Sequence, residues 1–220
     1  TLGLYVRDGN GKLVMPDDER LAPLFDRCGE LGVPCLIHVA DPIAFFKPLD
    51  RHNERWEELI AHPKWHFHGQ QFPSYGALME AQERLIERHP GTIFQSAHVA
   101  SAAENLAYVG GLLDRYANLY VDISARAAEL GRQPYTARKF VIEYADRILY
   151  GTDVKPAAAS QRIVMRLLET YDEYFNYSYS MTPGQGRWCI YGLGLPDEVL
   201  KKVYHLNAER LYGAVPRNPA

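Results

Sequence analysis

At 220 residues and 25.0 kDa, the chain is long enough to bury a substantial core and is read as one domain. Its formal charge of -3, with no Lys/Arg-rich run, gives no electrostatic case for a nucleic-acid partner. No apolar stretch approaches the roughly 20 residues of a membrane span, and the N-terminus carries no signal-peptide pattern, so a cytoplasmic protein is expected.

The elements follow in order. Residues 2–6 (LGLYV) form a short strand candidate, closed by the turn cluster Asp8-Gly9-Asn10-Gly11. Leu21, Leu24, Phe25, Cys28 and Leu31 recur at helical spacing, and Gly32 ends that helix. Residues 33–39 read as a buried strand carrying His38. Residues 40–73 are irregular, with a short helix predicted over 54–61, and are too long for an ordinary βα loop. A helix through Leu78, Met79, Leu85 and Ile86 leads to a strand over 92–97 that ends at His98. Ser101-Ala102-Ala103-Glu104 has the form of a capping box before a helix over Leu106, Val109, Leu112 and Leu113. Residues 118–123 are a strand, Pro134 opens a helix at a first-turn position, and residues 147–151 are a strand handing over to Asp153. A helix over 160–171, a loop rich in Tyr and Gly, and a final helix over 196–212 complete the chain.

The strand starts at 2, 33, 92, 118 and 147 differ by 31, 59, 26 and 29 residues. One βα unit thus takes about 30 residues, and one unit carries an insertion. Alternation at that spacing means βαβ units and a parallel sheet. A full (β/α)₈ barrel needs roughly 250 residues. The expectation is therefore a (β/α)-barrel domain over 1–220, seen as its C-terminal five βα units plus C-terminal helices and incomplete at the N-terminus.

In α/β folds, catalytic groups gather at the carboxyl ends of strands. Three strands here end on His38, His98 and Asp153. Two imidazoles and a carboxylate are ligand types for zinc and similar cations, and a metal-bound water would serve as a nucleophile near neutral pH. A base such as His98 or Asp153 would then move the proton. Cys28, Cys35 and Cys189 have no CxxC spacing and read as buried, reduced thiols. Gly184-Gln185-Gly186-Arg187 carries no phosphate-binding fingerprint.

Several of these motifs together resemble the amidohydrolase superfamily. They are Leu36-Ile37-His38 followed by Asp41-Pro42, the Ala97-His98 strand end, Tyr120-Val121-Asp122, Arg147 to Asp153, and Asn207-Ala208 near the end of the last helix. More narrowly they resemble its amidohydrolase 2 branch, which includes the aminocarboxymuconate-semialdehyde decarboxylase-like enzymes. The resemblance implies a metal-dependent barrel performing hydrolysis or non-oxidative decarboxylation on a small-molecule substrate. It makes His38 a metal ligand, His98 an acid/base group beside the metal-bound water, and Asp153 either a ligand or the acceptor of that water's proton. Hydrolysis through a divalent metal, zinc, is the first expectation, and decarboxylation of an aromatic or unsaturated acid is the second. A noncatalytic barrel-derived binding protein is the reading from another class. The family's first strand carries a His-x-His pair, and none precedes His38. His66-Phe67-His68 has that spacing but lies in the insertion.

Arg126 and Arg132 are candidates for binding a substrate carboxylate. His52 to Trp56 form a candidate lid, with Trp56 a substrate contact. Tyr171, Tyr174, Tyr177 and Tyr179 suggest an amphipathic surface suited to a homodimer.

Overall fold

A computed structural model describes residues 1–69, 71–155, 157–178 and 184–213, so Tyr179 lies outside the described residues. Four strands form one parallel sheet in the order β1 (Cys35–Ile37), β2 (Phe94–Ser96), β3 (Leu119–Asp122) and β4 (Ile148–Leu149). Helices Tyr75–Arg88, Leu106–Arg115 and Pro134–Glu143 lie in the crossovers. Sequential, parallel strands joined through helices are the arrangement of consecutive units of a (β/α) barrel.

The register pairs Cys35 with Phe94 and Leu119, and Ile37 with Ser96, Val121 and Ile148. Because side chains alternate along a strand, these residues share the helix-facing side. Phe94, Leu119, Val121 and Ile148 are all 0% exposed there, in one apolar cluster with Leu78, Leu85, Ile86, Val109 and Leu112. Each such side chain contributes roughly 1.5–3 kcal/mol by leaving water. The opposite side presents Leu36, Gln95 and Tyr120, and it is the half-covered side: Leu36 is 65% exposed. The Tyr212 hydroxyl reaches across this side and donates to Gln95 Oε1 at 2.5 Å.

Three sequence expectations differ from the structure. Residues 2–6 do not add a fifth strand to the sheet. Gly3 sits at φ 78°, and the N–H groups of Leu4, Tyr5 and Val6 all fall on the Thr1 carbonyl, folding the segment into a turn. A Cβ on Gly3 would lie 2.4 Å from Leu78 Cδ2, so a side chain there would have to displace the buried Leu78 side chain and would sit at a positive φ. The segment instead hydrogen-bonds to Val14, through the Gly3 N–H and the Val6 carbonyl, beside an isolated antiparallel bridge between Arg7 and Leu13. Ser101 does not cap the next helix; Asn105 does, its side chain accepting from the Tyr108 N–H. The last helix is three pieces, Asp197–Lys201, a π-helical turn over Lys202–Leu206, and Asn207–Tyr212. The π turn lets the Val203 carbonyl accept from the Tyr150 N–H, and Asn207 Nδ2 donates to the Ile148 and Ala145 carbonyls. Together these occupy the outer edge of β4. All three cysteines are free thiols.

Candidate active-site cleft

At their carboxyl ends β2, β3 and β4 each pass into a left-handed residue that is not glycine. These are His98 at φ 61°, Ala125 at φ 54° and Asp153 at φ 56°. Such positions are rare for side-chain-bearing residues and concentrate at functional sites. After β2 the conformation persists through Val99, Ala100 and Ser101, a complete left-handed turn. Roughly 1–2 kcal/mol per residue is the usual cost of that handedness, and the surrounding bonds must offset it.

Those bonds converge on Asp122, the last residue of β3. Its Oδ1 accepts from the His98 N–H at 3.1 Å, from the Ser124 N–H at 3.1 Å and from the Ser124 hydroxyl at 2.5 Å. Its Oδ2 accepts from Gln95 Nε2 at 2.7 Å. Asp122 thus lies on the side of the sheet shared with Gln95 and acts as the anchor of the turn. His98 Nδ1 lies 2.8 Å from the Ser124 carbonyl, which assigns the proton to Nδ1 and leaves the Nε2 lone pair free. His98 is 6% exposed, and its pKa is held below 6.5 first by burial, then by the Arg126 and His38 charges, against the Ser124 bond. Its surroundings thus favour the neutral ring over the imidazolium. Gly151 makes this packing possible, since a Cβ there would meet Ser124 Cβ at 3.1 Å.

His38, His98 and Asp153 line the same cleft, of about 330 Å³, with Asp41, Arg55, Glu58, Arg126, Tyr5, Phe45, Trp65 and Phe67. The two imidazoles meet edge to face, ring centroids 4.7 Å apart, and His98 Nε2 lies 3.9 Å from Asp153 Oδ2. His38 Nε2 is 3.1 Å from the Ala40 carbonyl and 3.6 Å from Asp41 Oδ1.

Of the two candidate arginines, only Arg126 reaches the cleft. It is 5% exposed, its hydrogen bond goes to its neighbour's carbonyl on Ala125, and among the described residues it has no carboxylate within 4.0 Å. Burial first, and then the Arg55 charge, lowers its pKa. Arg132 instead forms a two-toothed ion pair with Glu54 at 2.7 and 3.0 Å and lies over the Trp188 ring. Arg132 is thus engaged with Glu54 and does not line the cleft. Trp56 is likewise outside the cleft and 43% exposed; Trp65 takes the expected place, stacked on Phe45. His66 and His68 bond to the Lys47 and Phe46 carbonyls and clip the insertion to itself.

The rear wall includes Arg55, which the sequence placed in a candidate lid, and Glu58, which it did not single out. Arg55 is buried and divides its guanidinium between Glu58, at 2.9 Å, and Glu129. Burial raises the Glu58 pKa despite that arginine. Imidazole and carboxylate donors suit a divalent cation. Yet among the described residues no group of three or more His, Cys, Asp or Glu side chains stands close enough to hold one. His38 and Asp153 therefore do not make a complete metal centre between them.

Consecutive βα units whose strand ends bring two histidines, an aspartate and a buried arginine into one cleft define a (β/α)-barrel protein with its site at the usual end. The chain belongs to the amidohydrolase family, whose model (amidohydrolase 2) matches residues 4–214. The family is metal-dependent. No curated protein matches the chain. Among solved structures, an uncharacterised TIM-barrel protein from Bordetella bronchiseptica shares 18% identity at TM-score 0.54, covering 90% of this chain and 52% of that one. A 2,6-dihydroxybenzoate decarboxylase complexed with 2,6-dihydroxybenzoate shares 17% at 0.53, covering 96% and 60%. The Rhizobium 2,6-dihydroxybenzoate decarboxylase shares 17% at 0.52, covering 94% and 59%. These likenesses establish the TIM-barrel fold, and the chain spans about half to three fifths of the length of those proteins.

Proposed function

We propose that the cleft binds a small aromatic or unsaturated carboxylic acid and supports its non-oxidative decarboxylation. The observation that carries this reading is Arg126, a buried guanidinium with no carboxylate partner, in the same cleft as His98 and Asp153. A buried cation is stable where an anion comes to it, and a guanidinium matches a carboxylate with two parallel hydrogen bonds. Tyr5, Phe45, Trp65 and Phe67 give the remaining wall an aromatic character. The fold likeness to a 2,6-dihydroxybenzoate decarboxylase supports the same class. Hydrolysis, the first expectation from sequence, has no observation of its own in the cleft.

In this reading Arg126 orients the substrate carboxylate, and the aromatic wall keeps water from the reacting carbon. The bond between that carbon and the carboxyl group breaks, carbon dioxide leaves, and a proton takes its place. One proton per turnover comes from solvent through the His98–Asp153 pair, whose facing atoms are 3.9 Å apart. His38 and Asp153 are donors of the type zinc takes, two fewer than a tetrahedral site needs.

The test is incubation with 2,6-dihydroxybenzoate and unsubstituted benzoate, following loss of acid, release of carbon dioxide and binding by ligand-detected NMR. Binding that weakens about 10–100-fold in Arg126→Gln is expected, from the usual worth of a charged hydrogen bond. Absence of carboxylate binding, or equal binding by Arg126→Gln, would sink the reading.

A further inference from the structure

Ser101 closes the left-handed turn that begins at His98, at φ 58° and 1% exposed. A turn that needed only this backbone would be served better by glycine, which adopts the conformation freely. What serine adds is a hydroxyl, and that hydroxyl does not cap the following helix. It crosses to the end of β1 and donates to the Ala40 carbonyl at 2.6 Å. The same carbonyl stands 3.1 Å from His38 Nε2. The remaining polar groups of Ser101 are also committed. Its N–H bonds to the Ala97 and His98 carbonyls, and its own carbonyl accepts from the Tyr75 hydroxyl at 2.8 Å. His98, three residues back, is tied to Asp122 and Ser124 on the other side.

We infer that Ser101 is a positioning residue, whose hydroxyl acts through the Ala40 carbonyl to fix the His38 ring against the His98 ring. The turn is a rigid arm with His98 at one end and Ser101 at the other. Asp122 holds the His98 end to β3, and Ser101 ties the far end to the backbone on which His38 hangs. The 4.7 Å, near-perpendicular contact of the two imidazoles is the outcome. Without the hydroxyl, the Ala40 carbonyl loses its link to the turn, and residues 38–41 keep no side-chain bond to it. The functional meaning of this spacing rests on the proposed reading of the cleft; the spacing itself does not.

Three variants and two readouts test it. Ser101→Gly and Ser101→Ala remove the hydroxyl, and Ser101→Thr keeps it. The readouts are thermal midpoint and the nuclear Overhauser contact between the His38 and His98 ring protons, assigned with His38→Gln and His98→Gln. Ser101→Gly is expected to melt at or above the parent temperature, because the left-handed strain is relieved, and yet to lose the ring–ring contact. Ser101→Ala should lose it as well, and Ser101→Thr should retain it. An undiminished contact in Ser101→Gly would overturn the inference. So would a glycine variant that no longer folds, because the hydroxyl would then be a support of the fold as a whole. Binding of 2,6-dihydroxybenzoate by the same proteins separates the two claims. If the parent binds no carboxylate, the proposed function fails, and the ring contact still decides the role of Ser101.

Discussion

Arg55 and Glu129 form an ion pair across 74 residues of sequence in which the two side chains are 1% and 0% exposed. The pair ties the long insertion after β1 to the segment after β3 that carries Arg126. Arg55 Nε and Glu129 Oε2 remain buried without partners, so the geometry is not that of an optimised bridge. The desolvation cost of such a pair can exceed its attraction, yet removing Arg55 would leave the Glu129 carboxylate buried and unpaired. Arg55→Met should therefore destabilise the protein by about 3–5 kcal/mol, read as a lowered urea midpoint. Arg55→Met combined with Glu129→Leu should recover most of that loss. A double variant no better than the single one would refute this account.

The His98 environment sets a pH dependence whose sign follows from its depressed pKa. The folded protein prefers the neutral ring, first because the ring is buried, whereas the unfolded chain protonates it near 6.5. Between the folded and unfolded values the unfolded state binds more protons, so stability rises with pH through that window. The contribution is fully present above 6.5 and is lost as pH falls below it. Unfolding midpoints measured downward from neutral pH should drop more steeply for the parent than for His98→Gln. Parallel curves would show that His98 is not held neutral by the fold.

Much of this arrangement was legible in the sequence because it is local. A buried apolar run that stops at His38, His98 or Asp153 announces a strand and the residue at its end, whatever surrounds it. The first predicted strand failed for a reason that no local pattern carries: Gly3 lies against Leu78, 75 positions along the chain, and turns there. The insertion hid its contents in the same way. Trp65 lines the cleft and Trp56 does not, and the insertion is tied down by ion pairs far apart in sequence, Arg55 with Glu129, Arg132 with Glu54 and Arg187 with Glu57. Arg126, Glu129 and Arg132 stand at helical spacing with similar prospects, and they end in three different surroundings. The dense run Glu54-Arg55-Trp56-Glu57-Glu58 was the available signal for the rear wall. Its charge excess reads equally well as a solvated surface.

Gly151 offers a test of how tightly the strand ends are packed. A methyl group there would meet Ser124 Cβ at 3.1 Å, closer than ordinary contact, with little freedom on either side. Ser124 also holds His98 Nδ1 and is itself held by Asp122. Gly151→Ala should cost about 1–3 kcal/mol, the usual range for overpacking a filled interior. The displaced Ser124 should also disturb the His98 tautomer, visible in the nitrogen chemical shifts of its ring. A variant of parental stability with unchanged His98 shifts would show that the site has more slack than this contact allows.

Metal binding separates what the chain's donors can do from what the family requires. His38 and Asp153 are suitable in kind, but no third His, Cys, Asp or Glu joins them closely enough among the described residues. Two donors give weak binding, because a cation keeps most of its water and gains little over the bulk. Structural zinc sites, with four protein ligands, reach roughly 10–16 kcal/mol. Zinc titrated into this 220-residue chain after chelation should therefore bind no tighter than the micromolar range. It should also leave the thermal midpoint almost unchanged, since stabilisation grows only with the logarithm of ligand excess over Kd. His38→Ala and Asp153→Ala should each weaken the residual binding, and His66→Ala with His68→Ala should not, because those rings are engaged with carbonyls of their own loop. A stoichiometric, tightly held zinc in the 220-residue chain would overturn this account. Loss of that zinc in the His66/His68 variant would identify the insertion as the source of the missing ligands.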